Sequence, residues 1–343
     1  VFVKKFLKYI ISLKFGQISF FIGIFFLASA PFISAIFFIN SLVISFINNK
    51  KDFFKDLFNT PLILSTLFLL ISLIKHFFDY KFNNISNIDL AQSIIGLANW
   101  IPYFLCFWLF QSYLYSRNLR YKTFIYLISG SLPVLFSGFG QTFFGWYGPL
   151  KLFNGLIIWY QKQYPGENVF SGLFSNPNYT ASWLLIILPF CLFLVIKKQH
   201  IFIKSFAILL LFSVLIAIIL TGSRSGLVGL IFSVSFLFSN LFFSTIIISS
   251  IFSIIFLIIF LNNNFSSDFL INFYYLIPSF ISENFATISF SNLEQFPRFS
   301  IWKNSILFII DKPFFGYGAA TFKKLYETNI SDVGYYHSHH LFF

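Results

Sequence analysis

The chain has 343 residues, 57% of them hydrophobic and only 10% charged, with a mean hydropathy of +0.81. A soluble domain carries about a quarter charged residues, so this composition excludes a water-soluble globule. The formal net charge of +12 would suit a nucleic-acid binder in a soluble protein. Here lysines flanking apolar runs account for it, and no nucleic-acid partner is expected.

Lys4, Lys5, Lys8 and Lys14 precede an apolar run that continues to about Ile47, too long for a cleavable signal peptide. Pro31 divides it and predicts a tight hairpin of two helices, roughly 16–30 and 31–47. A polar connector around Asn48 to Asp56 leads to a third span over about 61–78, and 79–99 reads as a polar loop. The fourth span is placed at about 100–115, with Trp100 and Tyr103 as interfacial residues. Arg117, Arg120 and Lys122 follow it. The fifth span, about 123–144, contains Gly130, Pro133, Gly138 and Gly140, which predict an irregular helix.

A loop over about 145–178 ends in S-G-L-F-S-N-P-N-Y (Ser171 to Tyr179), where Asn-Pro-Asn is a turn signal ahead of a sixth span at about 179–196. The seventh span is about 205–220. T-G-S-R-S-G (Thr221 to Gly226) then makes a short break before spans at about 227–239 and 241–261. Cys106 and Cys191 lie inside apolar runs and read as buried thiols rather than a disulfide. The expected architecture is an all-α polytopic membrane protein of about nine transmembrane helices. Residues 1–261 form the membrane-spanning bundle and 262–343 a long outer-face loop. The closing Leu341-Phe342-Phe343 looks like the opening of another span, so further spans are expected beyond it.

With the N-terminus in the cytoplasm, nine spans place thirteen basic residues on the inner side: Lys4, Lys5, Lys8, Lys14, Lys50, Lys51, Lys55, Arg117, Arg120, Lys122, Lys197, Lys198 and Lys204. The short outer loops hold only Lys81, Lys151, Lys162 and Arg224, as the positive-inside rule requires. Asn176, Asn178, Arg224, Arg298 and the histidines at 337, 339 and 340 then share the outer face. A cysteine at Ser223 should accordingly be labelled from outside.

The polar chemistry collects in these motifs. The chain has four arginines against nineteen lysines, yet both outer motifs use arginine. Arg224, between Gly222 and Gly226, fits either an arginine snorkelling to headgroups or a planar fork binding phosphate oxygens in a bidentate manner. Arg298, in P-R-F-S-I-W (Pro297 to Trp302), is either a solvated loop residue or a second phosphate ligand. An amphipathic run follows it (Ile301, Trp302, Ile306, Leu307, Ile310). In D-K-P-F-F-G-Y-G (Asp311 to Gly318), Gly316 and Gly318 read as a turn permitting positive φ or close approach of a ligand. His337, His339 and His340, in H-S-H-H-L, could supply a general base, ligate a metal or be plain loop polarity. Outer carboxylates are sparse and no D-x-D pair occurs, which argues against a divalent-ion site; no metal and no cofactor are expected.

Taken in order, G-L-F-S-N-P-N-Y-T-A, T-G-S-R-S-G, R-F-S-I-W, K-P-F-F-G-Y-G and H-S-H-H-L resemble the O-antigen ligase / O-antigen polymerase superfamily of bacterial polytopic membrane glycosyltransferases. The ligase-like domain would span about 165–343, and the N-terminal half matches only in hydropathy. The resemblance implies a metal-independent, inverting glycosyltransferase at the outer face of the bacterial inner (plasma) membrane. Its donor would be a glycan on a polyprenyl diphosphate. Its acceptor would be a sugar hydroxyl on lipid A-core in a ligase, or on another lipid-linked glycan in a polymerase. Arg224 and Arg298 would bind the diphosphate, with Asn176, Asn178, Gly316 and Gly318 shaping loops nearby. His339 would be the base on the acceptor hydroxyl. The family's histidine usually precedes an asparagine, and that position here is His340, so His337 stays a candidate beside His339. A small-anion transporter of the bicarbonate type is the rival class. Such a protein should carry ionisable groups near the bilayer midplane, and these spans are almost free of them.

Overall fold

The computed structural model describes residues 12–49, 55–83, 90–163, 169–197, 200–237, 249 and 297–329. Their elements are α1 (Leu13–Phe26), α2 (Pro31–Asn49), α3 (Thr60–Asn83), α4 (Leu90–Leu109), α5 (Arg117–Phe144), the strands β1 (Leu150–Leu152) and β2 (Ile157–Trp159), α6 (Pro177–Ile196), α7 (Ile201–Leu220), α8 (Arg224–Leu237), α9 (Pro297–Asp311) and α10 (Phe322–Asn329). Among the described residues, six helical stretches are long and apolar enough to cross a bilayer, at Pro31–Asn48, Leu57–Phe78, Ala91–Leu109, Arg117–Phe144, Pro177–Ile196 and Ile201–Leu220. Two shorter apolar helices, Leu13–Phe26 and Arg224–Ser233, accompany them. The chain is therefore an all-α polytopic membrane protein. Apart from Ser249, the span expected at 241–261 lies outside the described residues, as do Lys4, Lys5 and Lys8.

The turn chemistry fixes several boundaries as the sequence implied. Pro31 opens α2, where a missing N–H costs nothing and a fixed φ suits the first turn. Two features depart from expectation. The helix assigned to about 100–115 runs instead from Leu90 to Leu109, taking in residues read as loop. The loop at 145–178 contains a small antiparallel hairpin with Leu150 opposite Trp159 and Leu152 opposite Ile157.

The chain divides into two compact units, one of Val1–Ser41 with Tyr113–Ser289 and one of Leu42–Ser112 with Phe290–Phe343. In the first, α6 and α7 supply the core. Leu184, Ile187, Leu188, Cys191 and Leu194 follow one stripe of α6, and Ala207, Leu210, Val214, Ala217 and Ile218 one stripe of α7. The opposite face of α7 presents Phe202, Leu209 and Phe212, with Leu209 65% exposed against 0% for Val214. Water would not tolerate such a surface, whereas a bilayer covers it.

Because lipid is as apolar as leucine, helices in this setting are held by close packing and by hydrogen bonds between them. Both occur between α1 and its neighbours. The Ser34 hydroxyl donates to the Gly23 carbonyl at 2.7 Å, and the Asn40 amide to the Ser19 hydroxyl at 2.7 Å. On the α5 side, a Cβ on Gly130 would stand 2.1 Å from the Phe25 carbonyl oxygen. That neighbour is backbone and cannot rotate away, so Gly130→Ala must push α1 off α5. Overpacking of this kind costs about 1–3 kcal/mol and often more when backbone is the obstacle. A lowered melting temperature in detergent is the expected readout; an unchanged one would contradict the α1–α5 packing.

Candidate functional site

Within the first unit the structure brings two of the sequence motifs together. Asn176 is the N-cap of α6, its side-chain oxygen accepting from the Asn178 N–H at 2.9 Å, and Pro177 is the first helical residue. The preceding turn is pinned from α5. The Gln141 side-chain oxygen accepts from the Ser171 and Gly172 N–H groups at 3.1 and 2.9 Å, and its amide nitrogen donates to the Gly172 carbonyl at 3.2 Å. The Thr180 hydroxyl donates to the Ser171 carbonyl at 2.6 Å. One residue earlier, the Phe170 N–H donates to the Leu220 carbonyl at 3.2 Å, joining this turn to the end of α7.

The break after α7 is built with equal economy. Gly222 takes φ +62°, a conformation glycine adopts without penalty. The Thr221 hydroxyl accepts from the Ser223 N–H at 3.3 Å, and the Ser223 hydroxyl caps α8 by accepting from the Gly226 N–H at 3.1 Å. Arg224 then opens α8. Added Cβ atoms on Gly226 and Gly229 would meet Ala181 Cβ at 2.7 Å and Leu185 Cδ1 at 2.5 Å. The two pairings ascend together, so α6 and α8 pack closely and parallel. Their N-termini lie at one end, where the backbone dipoles favour an anion and where half-buried Arg224 adds a full positive charge.

The geometry revises the residue to test for sidedness. Ser223 is only 3% exposed, whereas Ser225 faces out. In a Cys106→Ser/Cys191→Ala background, Ser225→Cys is expected to react with an impermeant maleimide added to spheroplasts. Reaction only after lysis would put this end on the cytoplasmic side.

In the second unit, Arg298 is the second residue of α9, and Trp302, Ile306, Leu307 and Ile310 along the same helix are exposed. The α9 and α10 helices are linked by Ser300 and Tyr326, whose hydroxyls are 3.3 Å apart. Between the helices, D-K-P-F-F-G-Y-G folds as a turn. The Gly316 N–H donates to the Lys312 carbonyl at 3.1 Å. Gly316 and Gly318 have φ +60° and +99°, so both glycines meet the positive-φ requirement read from the sequence. Gly318 also packs tightly: a Cβ there would lie 2.9 Å from both His76 Cδ2 and Ser93 Oγ. The Ser72 hydroxyl holds the Phe315 carbonyl at 2.6 Å. The Tyr317 hydroxyl donates to the Asp311 carboxylate, which together with partial burial pushes its pKa up to about 12, so it stays a neutral donor at physiological pH.

This turn, α4 and α10, with Leu62 of α3 and Ser305, Phe308 and Ile309 of α9, line a half-open cavity of about 1260 Å³. Its polar wall includes Gln92, Asn99, Tyr317, Lys312, Lys323 and Lys324. Lys312 and Tyr317 belong to the D-K-P-F-F-G-Y-G motif read from the sequence, whereas Gln92, Asn99, Lys323, Lys324 and Gln141 were not singled out there. His337 and His339, with His340, lie outside the described residues. Among the described residues no group of three His, Cys, Asp or Glu side chains is placed to hold a metal ion.

A helical membrane protein with an arginine seated among helix N-termini, and with an anchored glycine turn in its second unit, defines the class. Residues 207–343 match the model of the O-antigen ligase family (Wzy_C), so this part of the chain is similar to that family. The match supports a ligase- or polymerase-like enzyme of polysaccharide biosynthesis, which uses lipid-linked glycan donors and glycan acceptors in general. No curated protein and no solved structure matches the chain.

Proposed function

We propose that the protein transfers a glycan from a polyprenyl-diphosphate carrier to a sugar hydroxyl at the outer face of the bacterial inner membrane, as an O-antigen ligase. The observation that carries this reading is Arg224. It stands at the shared N-terminal end of α6 and α8, inside a stretch matching the ligase family. A diphosphate leaving group develops charge as its bond breaks, and a fixed cation among helix N-termini is suited to stabilise it.

In this reaction the acceptor hydroxyl oxygen attacks the anomeric carbon, and the bond from that carbon to the diphosphate oxygen breaks. The electron pair leaves with the diphosphate, onto Arg224 and Arg298. The hydroxyl proton passes to His339, or to His337. Attack opposite the leaving group inverts the anomeric centre. A positioned base contributes about 10²–10⁴-fold. Asn176 and Asn178 set the α6 N-terminus, and Gly316 and Gly318 shape the second turn. No metal ion enters the scheme. Polymerisation, with a second lipid-linked glycan as acceptor, uses the same bond changes and is the alternative.

The test is reconstitution with a polyprenyl-diphosphate glycan and lipid A-core. The expected result is an inverted glycosidic product and free polyprenyl diphosphate, at a rate unaffected by chelator. A rate abolished by chelator and restored by a divalent ion would overturn the metal-free scheme.

A further inference from the structure

The α9 helix of the second unit carries its amphipathic pattern reversed. The side turned to its own unit holds Ser300, Asn304, Ser305 and Phe308, all half-buried. There the Ser300 hydroxyl meets that of Tyr326, the Asn304 amide donates to the Ser300 carbonyl at 2.8 Å, and Phe308 packs edge-on to Tyr317 and Phe322. The other side shows Phe299, Trp302, Ile306, Leu307, Ile309 and Ile310, with Ile310 69% exposed. Their spacing puts them on one helix face, where Lys303 is the charged member. A helix lying in water would turn these two faces the other way round.

The turn after α9 fixes the height of this face. The Ser72 hydroxyl holds the Phe315 carbonyl, and Gly96 packs on the Ala319 backbone. Ser72 stands six positions before Phe78, where one span ends, and Gly96 five positions after Ala91, where the next begins. Both anchors therefore lie roughly 7–9 Å inside the span ends at 1.5 Å per residue. The Lys75 ammonium sits 5.1 Å over the Phe315 ring. A lysine this near the end of a span carries its charge at the headgroup boundary. Beside it Phe314 is 81% exposed, next to exposed Pro313. Ile71 and Phe78, which flank Lys75 on its face of α3, are exposed as well. The apolar surface of the turn thus continues a surface that a span presents to lipid.

With 15 residues α9 is about 22 Å long, too short to cross a hydrocarbon core of about 30 Å. An apolar face on such a helix, tied at one end to the headgroup boundary, fits the plane of the membrane interface. We propose that α9 and the Pro313–Phe314 tip form an in-plane membrane anchor whose occupant is bilayer lipid. Trp302, Ile306, Ile309, Ile310 and Phe314 enter the upper acyl chains, roughly 5–10 Å deep. The inference does not rest on the transfer reading. It holds Arg298, the second residue of α9, at the membrane surface whatever that residue binds.

The experiment uses the full chain in phosphatidylcholine nanodiscs, in the Cys106→Ser/Cys191→Ala background, with a bimane fluorophore on Ile309→Cys, Phe314→Cys or Leu67→Cys. Leu67, 49% exposed in the middle of the span Leu57–Phe78, is the reference. The quenchers are lipids carrying a nitroxide near the headgroup, lipids carrying it near the chain end, and aqueous iodide. At Ile309 and Phe314 the shallow nitroxide is expected to remove most of the fluorescence, the deep one much less, and iodide little. Leu67 should show the reverse order of the two lipids. Quenching by iodide without quenching by either lipid would overturn the anchor, since α9 would then stand in water. Protection from all three quenchers would overturn it too, because protein, a further segment or a second copy, would then cover the face. Ile309→Asp/Ile310→Asp should raise iodide access at Phe314→Cys severalfold, while the Leu67 pattern, unchanged, reports an intact bundle. No rise in that access would remove α9 from the anchor.

Discussion

Arg224→Ala is expected to lower transfer by about 10³-fold or more, while the protein still inserts and folds. Removing a single preorganised donor from a site of developing negative charge costs about 10²–10³ in rate, and here a full cation with a bidentate fork is lost. The scaffold should survive. The α8 helix keeps its Ser223 cap and its close approach to α6 through Gly226 and Gly229. Arg224→Lys keeps the charge but not the fork, so it should fall between the two. Turnover in nanodiscs, beside melting temperature, makes the comparison. Wild-type turnover in the alanine variant would remove Arg224 from the mechanism.

The second large effect is structural. Gln141→Leu is expected to loosen the turn that carries S-G-L-F-S-N-P-N-Y and to cost transfer with it. Gln141 is 1% exposed and accepts from two backbone N–H groups, of Ser171 and Gly172. Leucine fills the volume but leaves both donors without that acceptor, at about 1–3 kcal/mol for each buried group. The loss should be local, because the hydrophobic stripes of α6 and α7 are untouched. Hydrogen exchange at Ser171 and Gly172 should therefore rise steeply while the middle of α7 keeps its protection. Unchanged exchange at these two amides would show that the turn is held by something other than Gln141.

Local chemistry made much of this legible from sequence. Pro31, Asn176-Pro177 and Thr221-Gly222 each punctuate the chain through their own backbone preferences, and the helices begin or end there. Gly316 and Gly318 are likewise required by positive φ. The start of α4 was hidden because Gln92, Ser93 and Asn99 look like loop polarity. In the structure Gln92 and Asn99 line a cavity and Ser93 packs beneath Gly318, surroundings in which polar groups inside a span are tolerated. Gln141 carried one signal, a single amide in an apolar span, but nothing local says that its partners lie thirty residues away. The lysines of α10 fall in the stretch expected to be one long loop, where nothing local sets them apart. Their grouping with α4 depends on contacts between residues more than two hundred positions apart, which no periodicity records.

The central claim, glycan transfer from a lipid diphosphate, is tested most directly by deleting the gene and comparing surface glycolipids with polyprenyl-linked glycans. The account predicts long glycans accumulating on the polyprenyl carrier, with bare lipid A-core at the surface. Lipid A-core bearing single repeats would instead mark a polymerase. No change in either pool would contradict glycan transfer and return the transporter to consideration.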